Sequence, residues 1–220
     1  MRGFFLRRTF CKYRIIVICF SFNFAEVKEN CNPYVDIVFV LDDSYNITKT
    51  DLNLQTTFVQ EILQDHRAPR GAVKVAIMTC GNNFTSSGAF TDNMETTKDD
   101  LTQRNAVFTK DKTRHCLENL DLKFKSESRD GVSKMAVVLK GYWDWDVEEA
   151  NAYASAIKND KTTVVVVAIG VQNFDGLSAL RSIATGDSTY FVLAKFENLH
   201  SLAQVLTKGS CMRKYIFNKY

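Results

Sequence analysis

The sequence predicts an α/β fold in which a doubly wound, mostly parallel six-stranded sheet carries helices on both faces. Three observations predict it. Apolar runs of strand length alternate with helical patterns along almost the whole chain, the order expected of strand–helix–strand crossovers. Two of the runs, Ile37 to Leu41 with Val35 just before it and Thr162 to Gly170 (TTVVVVAIG), are almost continuously apolar, the mark of strands buried on both faces. The first of these runs straight into a polar cluster, Asp42, Asp43, Ser44 and Asn46. In open parallel sheets the ligand crevice lies beyond the carboxyl ends of the strands, so this cluster is the first place to look for function.

Taken in order, the first strand spans Val35 to Leu41 and is apolar apart from Asp36. Thr48 or Thr50 can then cap a helix whose apolar residues Leu52, Leu54, Phe58, Val59, Ile62 and Leu63 mostly follow helical spacing, and which stops before Arg67-Ala-Pro-Arg-Gly71. Val73 to Cys80 is a second strand, and its early alternation predicts a less buried position than the first. Gly81 to Asp92 is rich in Gly, Asn, Ser and Thr and reads as a loop or hairpin, with Ala89-Phe90 as a short edge strand. Thr97 to Ala106 reads as a short polar helix. Asp111 to Phe124 holds another, with Cys116, Leu117, Leu120 and Phe124 on one side. Lys134 to Leu139 is a buried strand that ends in Lys140-Gly-Tyr-Trp-Asp-Trp-Asp146. A helix from Val147 to Asn159, the strand at Thr162 to Gly170, a helix from Leu177 to Ala184, a strand from Tyr190 to Phe196 and a helix from Leu199 to Leu206 complete the pattern.

With 45% hydrophobic and 24% charged residues, the 220-residue chain has the balance of one ordinary domain with extensions, large enough for its own core. Residues 1–25 read as a signal peptide. Arg2, Arg7, Arg8, Lys12 and Arg14 are followed by an apolar run through Phe24 that ends at Ala25, the expected cut. The alternative, a retained signal anchor, is disfavoured because the run of about eleven residues is short against the roughly 20 that a bilayer span needs. No later segment has the length or apolarity to span a membrane. Removing five positive charges from a formal +3 leaves the mature chain about −2, which gives no support to a basic nucleic-acid footprint. Residues 26–34 then form a lead-in holding Cys31, 35–208 the domain, and 209–220 a tail holding Cys211. With Cys11 and Cys19 lost in the leader, Cys31, Cys80, Cys116 and Cys211 form an even set in a secreted chain, which allows three pairings. Cys31 and Cys211 flank the domain, so one bridge could tie its ends, which leaves Cys80 with Cys116. Free thiols are disfavoured in an oxidising compartment.

The ordered pieces resemble the von Willebrand factor type A domain family, the fold shared with integrin inserted domains. D-I-V-F-V-L-D-D-S-Y-N-I looks like that family's first strand and the loop carrying its D-x-S-x-S metal motif. V-K-V-A-I-M-T looks like the second strand, K-M-A-V-V-L-K-G like the fourth and V-V-V-V-A-I-G-V like the fifth. N-F-D-G-L-S-A-L-R-S-I-A with Y-F-V-L-A-K-F-E-N-L is similar to the closing helix, strand and helix, so the resemblance covers about Asp36 to Leu206. The flanking cysteines also resemble the end-to-end disulfide, here Cys31–Cys211, of some members.

The resemblance implies a metal-ion-dependent adhesion site, where an acidic group of a protein ligand completes the shell of a divalent cation held by hard oxygen donors. Carried over, Asp42 and Ser44 match the first two ligands, Asn46 stands where the family has a second serine, and Asp111, with Thr109 and Thr113 as neighbours, falls nearest the family's threonine. Where the family ends its fourth strand with T-D-G and uses the aspartate, this chain has Leu139-Lys140-Gly141. An ammonium about 4 Å from a unit positive charge is repelled by about 1 kcal/mol even at water-like screening. The expectation is that Lys140 occupies the metal's place, pairs with Asp42 and leaves the site degenerate and metal-free. No cofactor is then expected, magnesium or manganese being the ions taken if the site still bound one.

Asn46-Ile-Thr48 and Asn83-Phe-Thr85 are glycosylation sequons, and a glycan on Asn46 would cover the site itself. Tyr142, Trp143 and Trp145, beside Lys140, are candidates for contact with a partner, since aromatics dominate interface hot spots; the alternative is that the tryptophans pack against the neighbouring loop. His66, His115 and His200 are scattered without ligand spacing. No G-x-G-x-x-G, phosphate-loop lysine motif or G-x-S-x-G elbow is present. The expected function is a secreted, non-enzymatic module that binds an extracellular protein through the loops at the carboxyl edge of the sheet. An enzyme alternative, a phosphotransferase similar to the haloacid dehalogenase family with Asp42 as nucleophile, lacks the second aspartate that family places two residues on, where Ser44 stands. A structural or decoy domain without a ligand is the third reading.

Overall fold

The computed structural model describes residues 34–44, 46–64, 71–80, 89–93, 96–97, 113–141 and 147–209. Five strands form one parallel sheet in the order β2-β1-β3-β4-β5, with β1 at Val35–Asp42, β2 at Val73–Cys80, β3 at Ser133–Gly141, β4 at Thr163–Ile169 and β5 at Tyr190–Leu193. Among the described residues, the helices bounded in full are α1 (Lys49–Gln64), α2 (Thr113–Glu127), α3 (Val147–Asn159) and α4 (Phe174–Ile183) between the strands, and α5 (Leu199–Gly209) after β5. The chain runs from β1 outward to β2 and then returns to place β3 on the other side of β1. The order of winding therefore reverses between β1 and β3, the place where doubly wound sheets open a crevice.

Period-two alternation divides the strand residues between two cores. Val35, Ile37, Phe39 and Leu41 of β1 pack with Val137 and Leu139 of β3 beneath α1 and α5. Val38 and Val40 pack with Ala136, Val138, Val164 and Val166 beneath α2, α3 and α4. Every residue of β1 is buried, as its unbroken apolar run predicts. The α1 helix starts from Thr48, whose hydroxyl accepts the Asp51 N–H (3.1 Å) while Asp51 Oδ2 accepts the Thr48 N–H (3.0 Å), a reciprocal cap. Asn173 Oδ1 accepts the Gly176 N–H (2.8 Å), which starts α4 at Phe174 and not at Leu177. His200 Nδ1 meets Glu61 Oε1 at 2.7 Å and fastens α5 to α1.

Three expectations are corrected. The sheet has five strands among the described residues; the sixth, expected at Ala89-Phe90, is reduced to a single antiparallel bridge between Thr91 and Val75, with both backbone bonds made (2.8 and 3.0 Å). Phe90 instead turns inward against Phe124, ring centroids 6.0 Å apart. The second strand is nearly as buried as the first despite its alternation, because Lys74 is its sole residue not fully covered. The last strand stops at Leu193, and Phe196 lies in a single 3-10 turn, Phe196–Asn198, that leads into α5. Thr97 to Ala106 falls outside the described residues but for its first position, and Cys31 and Cys211 fall outside them altogether.

The amino edge of the sheet is closed by an ion pair that sequence reading did not identify. Asp36, wholly buried in β1, accepts the Arg129 backbone N–H (2.7 Å) at Oδ2 and Arg129 Nε (2.9 Å) at Oδ1. The rest of the guanidinium reaches the carbonyls of Val35 (3.2 Å), Ala72 (3.1 Å) and Gly71, tying the starts of β1 and β2 to the turn before β3. Arg129→Met leaves the Asp36 carboxylate without its counter-charge, and denaturant unfolding should show a loss of about 3 kcal/mol or more. A loss below about 1 kcal/mol would mean that solvent reaches Asp36.

Tyr190, at the start of β5, donates its hydroxyl to the Leu177 carbonyl (2.9 Å). Burial pushes its phenol up from 10.0 to about 12, with nearby Arg181 pulling the other way. The folded state thus holds the proton more tightly than the unfolded state. Stability from this group is complete below the ordinary phenol value and declines as pH rises toward about 12. Unfolding followed across that alkaline window should steepen in the native chain and flatten in Tyr190→Phe.

Candidate functional site

The carboxyl edge at the β1/β3 reversal is organised by Asp42 and Lys140. Each is the next step in an inward-facing row: Val38, Val40 and Asp42 on β1, and Ala136, Val138 and Lys140 on β3. The period that buries the valines beneath α2 to α4 therefore also buries the two charges, side chains 0% and 3% exposed. Lys140 Nζ lies 3.2 Å from Asp42 Oδ1. The same oxygen accepts the Ser44 N–H (3.0 Å), and Oδ2 accepts the Gly141 N–H (2.8 Å).

These contacts have a local cause. The β1–β3 ladder ends at the Val40–Val138 pair, so the last groups of both strands need other partners in a place closed to water. The side-chain amide of Gln55, wholly buried on α1, supplies them for Asp42: Oε1 accepts the Asp42 N–H (2.8 Å) and Nε2 donates to the Asp42 carbonyl (2.8 Å). Sequence reasoning missed Gln55. Its signal was a polar residue on the stripe Leu52, Gln55, Val59 and Ile62, at the spacing that faces the core.

Beyond Asp42, the Ser44 carbonyl accepts the Ile47 N–H (2.9 Å), closing a turn that buries Ile47 and leaves Asn46 half-buried. Asp43 and Ser44 are both buried. Ile47, Gly141 and Phe196 meet beneath this turn: a Cβ on Gly141 would stand 2.7 Å from Phe196 Cζ and 3.0 Å from Ile47 Cδ1. On the other side of β1, a disulfide joins Cys80, paired with Asp42 across the sheet, to Cys116 in the first turns of α2. The structure thus brings Asp42, Ser44, Asn46 and Lys140 to one edge. Asp111, Tyr142, Trp143, Trp145 and Asn83 lie outside the described residues.

The donor set was tested for a divalent cation on this geometry. Asp42 already faces one ammonium and two backbone N–H groups. An ion seated on the carboxylate would stand about 4 Å from Nζ and be repelled by about 8 kcal/mol at an effective dielectric of 20, twice the unit-charge value. The Asp42 carboxylate attracts such an ion, but its charge is already matched by the ammonium, so the pair as a whole offers no net charge to set against the cost of dehydrating the cation. Lysine also offers three donors and no oxygen, whereas magnesium needs six oxygen ligands. The residues present do not fit the ion, and no group of three or more His, Cys, Asp or Glu able to hold a metal occurs among the described residues.

Comparison with known proteins gives a consistent family assignment. The family model of the von Willebrand factor type A domain matches residues 36–205. Similar solved structures include proximal thread matrix protein 1 from the mussel byssus with a zinc-occupied MIDAS motif (TM-score 0.66, 19% identity, 78% of this chain and 44% of that one). The vWF domain of the type V pili tip protein Mfa5 from Porphyromonas gingivalis is similar at TM-score 0.64 and 11% identity, over 80% of this chain and 97% of that one. The pilus adhesin SpaC from Lactobacillus rhamnosus GG, in its open conformation, is similar at 0.68 and 12%, over 85% and 31%. At these identities the likeness is one of fold, and the chain spans less than half the length of the byssal protein. No curated protein sequence matches it.

Gly141→Ala tests the packing at this edge. The added methyl has to displace the Phe196 ring or Ile47, and we expect a destabilisation of about 1 to 3 kcal/mol by denaturant unfolding. A neutral result would show that the ring swings aside freely.

Proposed function

Because the chain belongs to the von Willebrand factor type A domain family, we propose that it is a secreted, non-enzymatic binding module that engages an extracellular protein through the carboxyl edge of its sheet. The observation that carries this reading is the family match over residues 36–205 together with a parallel sheet whose winding reverses beside Asp42 and Lys140. The byssal matrix protein, the pilus tip protein and the pilus adhesin, by their names, work in matrix or surface attachment, which supports an adhesive role. Among the described residues no helix is long and apolar enough to cross a membrane. The leader at residues 1–25, the sequons at Asn46 and Asn83, and the Cys80–Cys116 bridge all belong to the secreted reading.

The same edge presents a contact residue that sequence reading passed over. Phe174 opens α4 five residues after β4 ends and is 81% exposed, the most exposed of the large apolar side chains among the described residues. A bare phenylalanine costs solvation in the free protein and gains it back when a partner covers it, which is how aromatic anchors work at interfaces. It joins Tyr142, Trp143 and Trp145 in the proposed contact set. The phosphotransferase reading is weaker: the nucleophile it needs, Asp42, is 0% exposed and its two oxygens take the donors described above.

The test is capture of partners from extracellular extract by the immobilised mature chain, followed by affinity measurement on the partner recovered. Phe174→Ser should weaken binding at least about tenfold, near 1.4 kcal/mol. Leu122→Ser, on the flank of α2 and 55% exposed, should leave it unchanged. The reverse pattern would move the binding surface off this edge, and no partner at all would favour a structural domain.

A further inference from the structure

We infer that the Lys140 ammonium is a built-in replacement for the divalent cation, so that this edge keeps its shape, and its partner binding, without any metal. The inference deepens the binding-module reading and rests on it only where partner binding is concerned; the ion chemistry stands by itself.

Four observations carry it. Lys140 lies in the inward row of β3 with its side chain 3% exposed, so the charge belongs to the interior and not to a side chain that folds away into solvent. Its Nζ is 3.2 Å from Asp42 Oδ1, on the carboxylate that the sequence resemblance aligns with the first position of the D-x-S-x-S motif. The neighbouring Gly141 N–H bonds to the other oxygen of the same carboxylate (2.8 Å), so the end of β3 grips both oxygens at once. The Ser44 N–H bonds to Oδ1 (3.0 Å), which sets the turn of the β1–α1 loop from the same carboxylate. One positive charge, a backbone amide from β3 and a backbone amide from the loop are thereby gathered on Asp42. A cation seated between these segments would do the same work of drawing loop and strand end together. The ammonium does it covalently tethered to β3, at a fixed one-to-one ratio, and cannot be removed by a chelator.

The pair also changes what the edge can recognise. A bound divalent ion exposes an open coordination position to an acidic group of a ligand, whereas a buried ammonium exposes none. Recognition then passes to side chains around the pair, with no requirement for a carboxylate on the partner.

Manganese serves as the probe, with its paramagnetic resonance signal reporting bound ion and thermal unfolding reporting linked stability. The mature wild-type chain should bind no manganese at millimolar concentration, and its unfolding midpoint should be the same in manganese and in chelator. Lys140→Asp restores an oxygen donor beside Asp42 and removes the ammonium. It should bind manganese and gain several degrees in midpoint, the shift that mass action gives at about a hundredfold excess over the dissociation constant. Lys140→Ser carries the same readout with a smaller change of charge should the aspartate variant not fold. Submillimolar manganese binding by wild type overturns the inference, as does a folded Lys140 variant that still takes up no ion. These readouts need no partner, so a failed capture experiment would count against the binding function while leaving them intact. Once a partner is recovered, chelator should leave its affinity for wild type unchanged; chelator-sensitive binding overturns the inference from that side.

Discussion

The buried pair of Asp42 and Lys140 is the constraint on which the carboxyl edge depends. Where a doubly wound sheet reverses its winding, two adjacent strands end without a crossover to cover them, and their last backbone groups face each other across a widening gap. Here the Asp42 carboxylate fills that gap, taking the Gly141 amide from β3 and the Ser44 amide from the loop. A lone carboxylate in that place would be heavily penalised by desolvation, and Lys140 supplies the counter-charge from the neighbouring row. The Gln55 amide then completes the backbone of Asp42 from the opposite face. Loop, strand end and helix α1 are thus tied to one residue.

The two ends of β1 are built on the same principle with different parts. At the amino end Asp36 is held by the Arg129 guanidinium, whose planar fork also gathers carbonyls from the neighbouring strand start. At the carboxyl end Asp42 is held by a lysine, a compact charge suited to one carboxylate. Between them, five apolar residues from Ile37 to Leu41 occupy both cores. This arrangement also pins the register: a slip of one residue would carry Asp36 and Asp42 to the α1/α5 side, away from both counter-charges. Phe196, wedged against Gly141 and Ile47, joins the same edge to the start of α5. The composition of the edge is consequently a matter of packing as much as of recognition.

Much of this was legible in the chain itself. The continuous apolar runs marked the central strands, and helical spacing marked α1 and α2, because burial on both faces or on one stripe leaves a direct imprint on residue order. Lys140 was recognisable as a cation standing where a carboxylate is expected. Gln55 and Arg129 were not, since a single polar residue on an apolar stripe and a single arginine in a turn look the same whether they are solvated or buried. Phe174 was missed because exposure of an aromatic at a helix start is set by what packs around it. The short edge strand shrank to one bridge at Thr91, beside which Phe90 turns inward to meet Phe124, a contact between distant segments that local residue order does not reveal.

By itself, then, the sequence determined the fold class, the family and the identity of the charges at the head of β1 and β3. These follow from local periodicity and from which residue types stand at strand ends. Only the tertiary structure decided that the expected pair of Asp42 and Lys140 is buried between neighbouring rows of β1 and β3, that Gln55 closes the backbone behind it and that Arg129 serves the opposite end. The reason is that these contacts join residues roughly 10 to 100 positions apart, and register, twist and burial are set by the assembled sheet and not by any one segment.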